Sequence, residues 1–238
     1  MRAHPMPPLQ DARWPEVEAA HRDVLVLPIG STEQHGPHLP LDTDAFIADA
    51  VARRLHRIRP QVGLAPVLRL GASDEHAAFP GTLSIGTEAL AHLVSELVRR
   101  ASRWWRAVFI VNGHGGNVDA LRQVRAAGER EGIPVVVHHL TVPGGDAHAG
   151  RTETSLMLHL DPARVRLDLA EPGETAPIVE LMPRLRADGV RAVSANGVLG
   201  NPTGASGEQG AELFTHLVQR ADAALTGLLT TVGGASPA

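Results

Sequence analysis

Glu33 and His35 stand two residues apart, with Asp44 a little further along the same segment. In an extended chain, residues two apart point the same way, so this carboxylate and imidazole are presented together. Asp44 opens a helical pattern, where the exposed N–H groups of the first turn favour a negative charge. Gly36, Pro37 and Pro40 fold the segment back between them. His114 sits between Gly113 and Gly115, where little shields its ring. A His, Asp and Glu set suits Zn, Mn or Fe. One carboxylate shared between two cations suits a binuclear centre, with metals ~3.5–4 Å apart. Taken singly, each residue has a plainer reading: Glu33 as a cap, His35 as a loop histidine, Asp44 as a helix N-cap. It is the set that points to metal chemistry.

Composition narrows the choice. With no cysteine there is no disulfide, thiol nucleophile, iron–sulfur cluster or cysteine-ligated zinc. The 13 histidines outnumber the 4 Phe and 3 Trp, and there is no Tyr, so some histidine is available for chemistry. All 22 cationic residues are arginine, which excludes a Schiff-base or P-loop lysine. A net charge of −4 gives no electrostatic reason to expect nucleic acid. No apolar run is long enough for a bilayer, and the opening MRAHPMPPLQDARW lacks a secretory apolar core, so a cytoplasmic protein without a membrane partner is expected.

These residues must be positioned by the elements around them. Apolar runs at 23–28, 62–70, 107–111 and 134–140 read as strands. Helical spacing covers 44–58, 87–105 (Thr87 as N-cap), 118–131 (closed by Gly132), 152–160 and 208–229. This alternation predicts an α/β fold with a mainly parallel sheet and helices on both faces. One domain over 1–238 is expected, with loose ends at about 1–12 and 231–238. Ligands in such sheets bind beyond the carboxyl ends of the strands. Loops rich in Gly and in His or carboxylate follow all four strands: 30–44, 71–82, 112–117 and 143–153.

The wording of those loops resembles the creatininase (creatinine amidohydrolase) family. The resemblance is carried by Glu33-Gln-His-Gly-Pro-His-Leu-Pro-Leu-Asp-Thr-Asp44, Phe79-Pro-Gly-Thr-Leu-Ser-Ile85, Asn112-Gly-His-Gly-Gly-Asn117 and His148-Ala-Gly-x-x-Glu153-Thr-Ser155, within about 24–160. It implies a three-layer α/β/α sandwich, two divalent metal ions (Zn, Fe or Mn), hydrolysis of an amide-type C–N bond, and a homo-oligomer, often a hexamer. It implies that Glu33 and His114 hold one metal, His35 the other, and that Asp44 bridges both. Where the founding enzyme carries a further carboxylate ligand, this chain has Gly116. Glu153 is then the candidate to complete the second metal, with water as the alternative. The founding enzyme's tryptophan box is also absent, since Trp occurs only at 14, 104 and 105, which argues against creatinine as substrate. Within the family the wording is most like peptidases that cleave a modified ribosomal precursor peptide and release its C-terminal Val–Tyr-derived dipeptide.

His148, in a Gly-flanked loop expected to be mobile, is the candidate proton shuttle to the leaving nitrogen; a histidine suits this because its ordinary pKa is near neutrality. Glu153 is either a ligand or the group that orients His148. Ser73, Glu75 and His76 are candidates for the substrate side. Asn112 and Asn117 are expected to brace their loop, and His38 to support the ligands. The rival readings are hydrolysis of a small cyclic amide or formamide, and a non-catalytic metal-binding scaffold.

Overall fold

The computed structural model describes residues 6–233. The chain runs α1 (Trp14–Ala19), β1 (Val24–Ile29), α2 (Thr43–Ile58), β2 (Gly63–Leu64), α3 (Thr87–Ala101), β3 (Ala107–Asn112), α4 (Val118–Glu131), β4 (Val135–His139), α5 (Arg151–Leu160), α6 (Ile178–Asp188), α7 (Val190–Val193) and α8 (Gly207–Gly233). The four strands form one parallel sheet in the order β2-β1-β3-β4.

The central strands explain the layers. Every residue of β1 and β3 is buried, so alternate side chains must satisfy two faces. Val24 and Val26 of β1, with Phe109 and Val111 of β3, pack against α2 and α8. Leu25, Leu27 and Ile29, with Val108 and Ile110, pack against α3 and α4. The result is the expected three-layer α/β/α sandwich. Helix α4 keeps its expected span, and Gly132 closes it in the left-handed conformation at φ 69°.

Three expectations need correction. The run at 62–70 gives only Gly63–Leu64 as strand, because Pro66 has no N–H to give the ladder. Pairing resumes irregularly beyond it, with the Leu68 N–H on Pro28 O and the Gly30 N–H on Leu68 O. Helix α3 stops at Ala101, and its N-cap is Gly86 rather than Thr87. The described parts of the supposedly loose ends are ordered in place. Met6 is buried in the core, the Leu9 N–H bonds Leu64 O, and α8 continues through 233. The rest of both ends, 1–5 and 234–238, lies outside the described residues. Helices α6 and α7 escaped the sequence reading; Pro183 inside α6 is a residue that normally argues against a helix interior.

Candidate metal centre

Strands β1 and β3 are paired neighbours through Ile29↔Asn112. The loops that leave their carboxyl ends therefore begin side by side. Two glycines allow the first turn of α2 to close onto them. A Cβ on Gly30 would lie 2.2 Å from the Ala45 nitrogen, and one on Gly113 would lie 2.6 Å from the Asp44 carbonyl oxygen. Asn117 braces the same junction, with Nδ2 donating to Gly30 O at 3.0 Å and Oδ1 accepting the Ala72 N–H at 2.9 Å. Asn112 also ties its own loop, donating to His114 O at 2.7 Å.

Asp44 is the centre of what these loops bring together. Its Oδ1 lies 3.0 Å from His35 Nε2, and its Oδ2 lies 3.0 Å from His114 Nδ1. The Ser31 hydroxyl donates to Oδ2 at 2.8 Å. The outer nitrogen of each ring rests on a backbone carbonyl: His35 Nδ1 on Glu33 O at 3.2 Å, His114 Nε2 on Ala72 O at 3.0 Å. A carbonyl only accepts, so each outer nitrogen carries hydrogen. The inner nitrogens then face different oxygens of one carboxylate, the arrangement a bridging ligand needs.

Glu33 is fully buried, and neither carboxylate oxygen has a hydrogen-bond partner. Its Oε2 lies 3.2 Å from His114 Nε2, and its Oε1 lies 3.3 Å from His76 Nε2 and 3.7 Å from His148 Nδ1. Glu153, in the first turn of α5, accepts the Ala149 N–H at 2.6 Å and places Oε2 3.9 Å from His35 Nε2. Three groups have ligand atoms within 4.8 Å of one another: Glu33–His35–Asp44, His35–His148–Glu153 and Glu33–His76–His148. His114 joins from the side, through separate contacts to Glu33 and Asp44.

The electrostatics follow from this crowding. Burial pushes the Glu33 carboxyl up to about 7, helped by the Asp44 charge and opposed by His114 and His35. Burial likewise raises Glu153 to about 7 against the pull of His35. Burial would also raise Asp44, but His35 and His114 outweigh it and hold the carboxyl well below its usual range. For His35 and His114 burial opposes the charge. Asp44 overcomes it at His35, Glu33 and Asp44 overcome it at His114, and both are raised to about 10. Protons on two histidines thus offset buried carboxylates that no arginine contacts among the described residues. Orphaned carboxylate oxygens, a shared aspartate and two carbonyl-anchored imidazoles are a donor set that fits divalent cations.

Other expected residues fall differently. His148 is buried, and its backbone is paired: its N–H bonds Leu199 O at 3.1 Å, and its carbonyl accepts the Leu199 N–H at 2.9 Å. Burial first, then charge on His35 and His76, pushes its pKa well below the usual value. Ser73 and His76 are interior, with Ser73 Oγ 3.3 Å from His114 Nε2. Glu75 reaches the same nitrogen at 3.6 Å. None of Ser73, Glu75 and His76 lines the open cavity beside the cluster, because their loop packs behind His114. That cavity, about 350 Å³, is lined on its polar side by Asp44, His114, His148 and Glu153. Its apolar side includes Ile47, Leu140, Val142 and Leu217. His38 supports α5 as expected, with Nε2 2.9 Å from Thr154 Oγ1. Gln34 went unnoticed in the sequence because it carries no charge, yet its side chain touches both His76 and His148.

Comparison with known proteins bears on family and fold. The family model described as creatinine amidohydrolase matches residues 10–225. The chain is 50% identical over 203 residues to a mycofactocin precursor peptide peptidase of Mycobacterium tuberculosis, covering 82% of this chain and 81% of that one. It is 31% identical over 243 residues to a creatinine amidohydrolase of Pseudomonas putida, covering 87% and 91%. A mutant creatininase solved in its zinc–zinc form superposes with a TM-score of 0.74 at 29% identity, covering 90% of this chain and 95% of that one.

Proposed function

From the premise that the chain belongs to the creatininase family, we propose that it is a metal-dependent peptidase that cleaves a modified ribosomal precursor peptide of the mycofactocin type. Hydrolysis of a C–N bond follows from the family. The peptide substrate rests on the 50% identical relative. The observation that carries metal dependence is the single carboxylate of Asp44 facing His35 with one oxygen and His114 with the other.

In this reading Glu33, His35, Asp44, His114 and Glu153 are the residues that would hold the cations, with Asp44 the one that both histidines face. Held there, they would supply Lewis acidity toward a scissile carbonyl and toward water. His148 starts neutral, so it begins as a base, with Nδ1 turned toward Glu33 and Nε2 on Gln34 O at 2.8 Å. It takes a proton at Nδ1 and returns it to the departing nitrogen, which leaves poorly without one. The Ala149 N–H holds Glu153 at the cluster. The apolar wall of Ile47, Leu140, Val142 and Leu217 excludes water and accepts an uncharged apolar side chain beside the scissile bond. No tryptophan lines the cavity to stack a small planar ring, which favours a peptide over creatinine.

The test is incubation of the zinc- or iron-loaded protein with modified precursor peptide, and separately with small cyclic amides and formamides, read by mass spectrometry. Release of a C-terminal dipeptide supports the reading; turnover of the small amides alone overturns the substrate. Metal retention without hydrolysis of either would indicate a scaffold. No described helix is long and apolar enough to cross a membrane. Assembly into a homo-oligomer in the cytoplasm belongs to the same proposal, and light scattering tests the assembly.

A further inference from the structure

Gln34 lies between two candidate ligands, yet its side chain turns away from both and is buried. The orientation of its amide is fixed by two groups that cannot exchange roles. The Gly36 N–H donates to Oε1 at 2.9 Å, and Nε2 donates to Gly197 O at 3.0 Å. Reversing the amide would set donor against donor and acceptor against acceptor. Nε2 therefore has one hydrogen left. Two imidazole nitrogens lie within its reach, His76 Nδ1 at 2.8 Å and His148 Nε2 at 3.0 Å.

The backbone decides between them. His148 Nε2 also lies 2.8 Å from the main-chain oxygen of Gln34, which only accepts. That nitrogen must carry a hydrogen, and so cannot receive the one from the amide. The remaining amide hydrogen goes to His76 Nδ1, which places the proton of neutral His76 on Nε2, facing Glu33 Oε1 at 3.3 Å. We infer that Gln34 is a positioning residue that sets the proton location on two histidines at once. Its side chain holds His76 in the Nε2–H form, and its carbonyl holds His148 in the Nε2–H form with Nδ1 free toward the cluster. His76 then turns an N–H, not a lone pair, toward Glu33, and its other nitrogen is taken by the amide, so it is not a ligand. Of the three candidate cation groups, the one built on Glu33, His76 and His148 drops out. The catalytic consequence rests on the peptidase reading; the proton locations do not.

The experiment is a long-range proton–nitrogen correlation spectrum of zinc-loaded protein labelled with ¹⁵N-histidine, assigned with His76→Gln and His148→Gln. The expected pattern is Nε2–H at both residues, with Nδ1 unprotonated. In Gln34→Glu the carboxylate has no hydrogen to offer, so His76 switches to Nδ1–H while His148 keeps its pattern. Losing a hydrogen bond that orients a histidine beside the candidate ligands costs 10–100-fold, and kcat should fall by about that factor with KM and zinc content little changed. Nδ1–H at either residue in the wild type overturns the inference, and this spectrum needs no variant of Gln34. An unchanged His76 in a folded Gln34→Glu overturns it as well. A wild type with the expected protons but no peptidase activity would sink the functional reading and leave this one standing.

Discussion

Gly116 is where the described geometry makes its sharpest demand. A Cβ there would lie 2.2 Å from the Ala72 carbonyl oxygen, 2.4 Å from His114 Nε2 and 2.6 Å from Glu75 Oε1. All three are far inside van der Waals contact, and the first is backbone, which cannot swing aside. Ala72 O is also the acceptor that anchors the outer nitrogen of His114. In Gly116→Ala the imidazole must therefore move away from Asp44 or lose its anchor. Overpacking of this kind costs ~1–3 kcal/mol. If the strain falls on His114, then at ~1.4 kcal/mol per tenfold the zinc affinity drops by ~5- to ~150-fold. The matched control is its neighbour. A Cβ on Gly115 meets nothing within 4 Å, so Gly115→Ala should bind zinc as the wild type does. Competition with a chromophoric chelator measures all three proteins. Equal affinity in Gly116→Ala and Gly115→Ala would show that His114 does not depend on this packing and would remove it from the ligand set.

Asp44→Ala should bring zinc content to background by elemental analysis while circular dichroism still reports a fold; full retention would mean that no cation is shared through this carboxylate. His38 gives a pH signature. Burial first, then charge on His35, lowers its pKa from 6.5 to about 4. Between those values the unfolded chain takes a proton that the folded chain refuses. The wild type therefore loses stability as pH falls through that window, by at most about 3 kcal/mol, and keeps it above pH 6.5. Denaturant unfolding of His38→Gln should show a shallower acid decline; parallel curves would refute the assignment. Ala149 is buried at φ 52°, a conformation hostile to branched side chains. Ala149→Gly should stay within about 1 kcal/mol of the wild type and Ala149→Val should lose more than about 2 kcal/mol in thermal unfolding; equal losses would deny the strain.

Much of this molecule could be read from local pattern. The β-branched run at 107–111 and the stop at Gly132 are short-range signals, and both elements fell where expected. The convergence of Glu33, His35 and Asp44 was legible because they lie close in sequence on one loop. What escaped depended on distant partners. Nothing near Ser73 or His76 shows that their loop packs behind His114, away from the cavity beside the cluster. Nothing near His148 reveals that Leu199 pins it. Gln34 is uncharged, and its importance lies in which atoms of Gly36, Gly197 and two histidines surround it. Helix α6 was hidden by Pro183, whose cost is met by tertiary packing of Leu181 and Leu185.

If the proposed residues are the metal ligands, their spacing along the chain bears on how the protein matures. Glu33, His35 and Asp44 leave the ribosome together, but His114 and Glu153 belong to β3's exit loop and to α5. At ~5–20 residues per second, the last of them emerges ~5–20 s after Asp44. Until then the nascent segment is an open claw, able to grip a passing ion but not to enclose it. Zinc or iron retained against a chelator would therefore mark chains whose synthesis has passed α5, and metal capture would serve as a clock for completed folding.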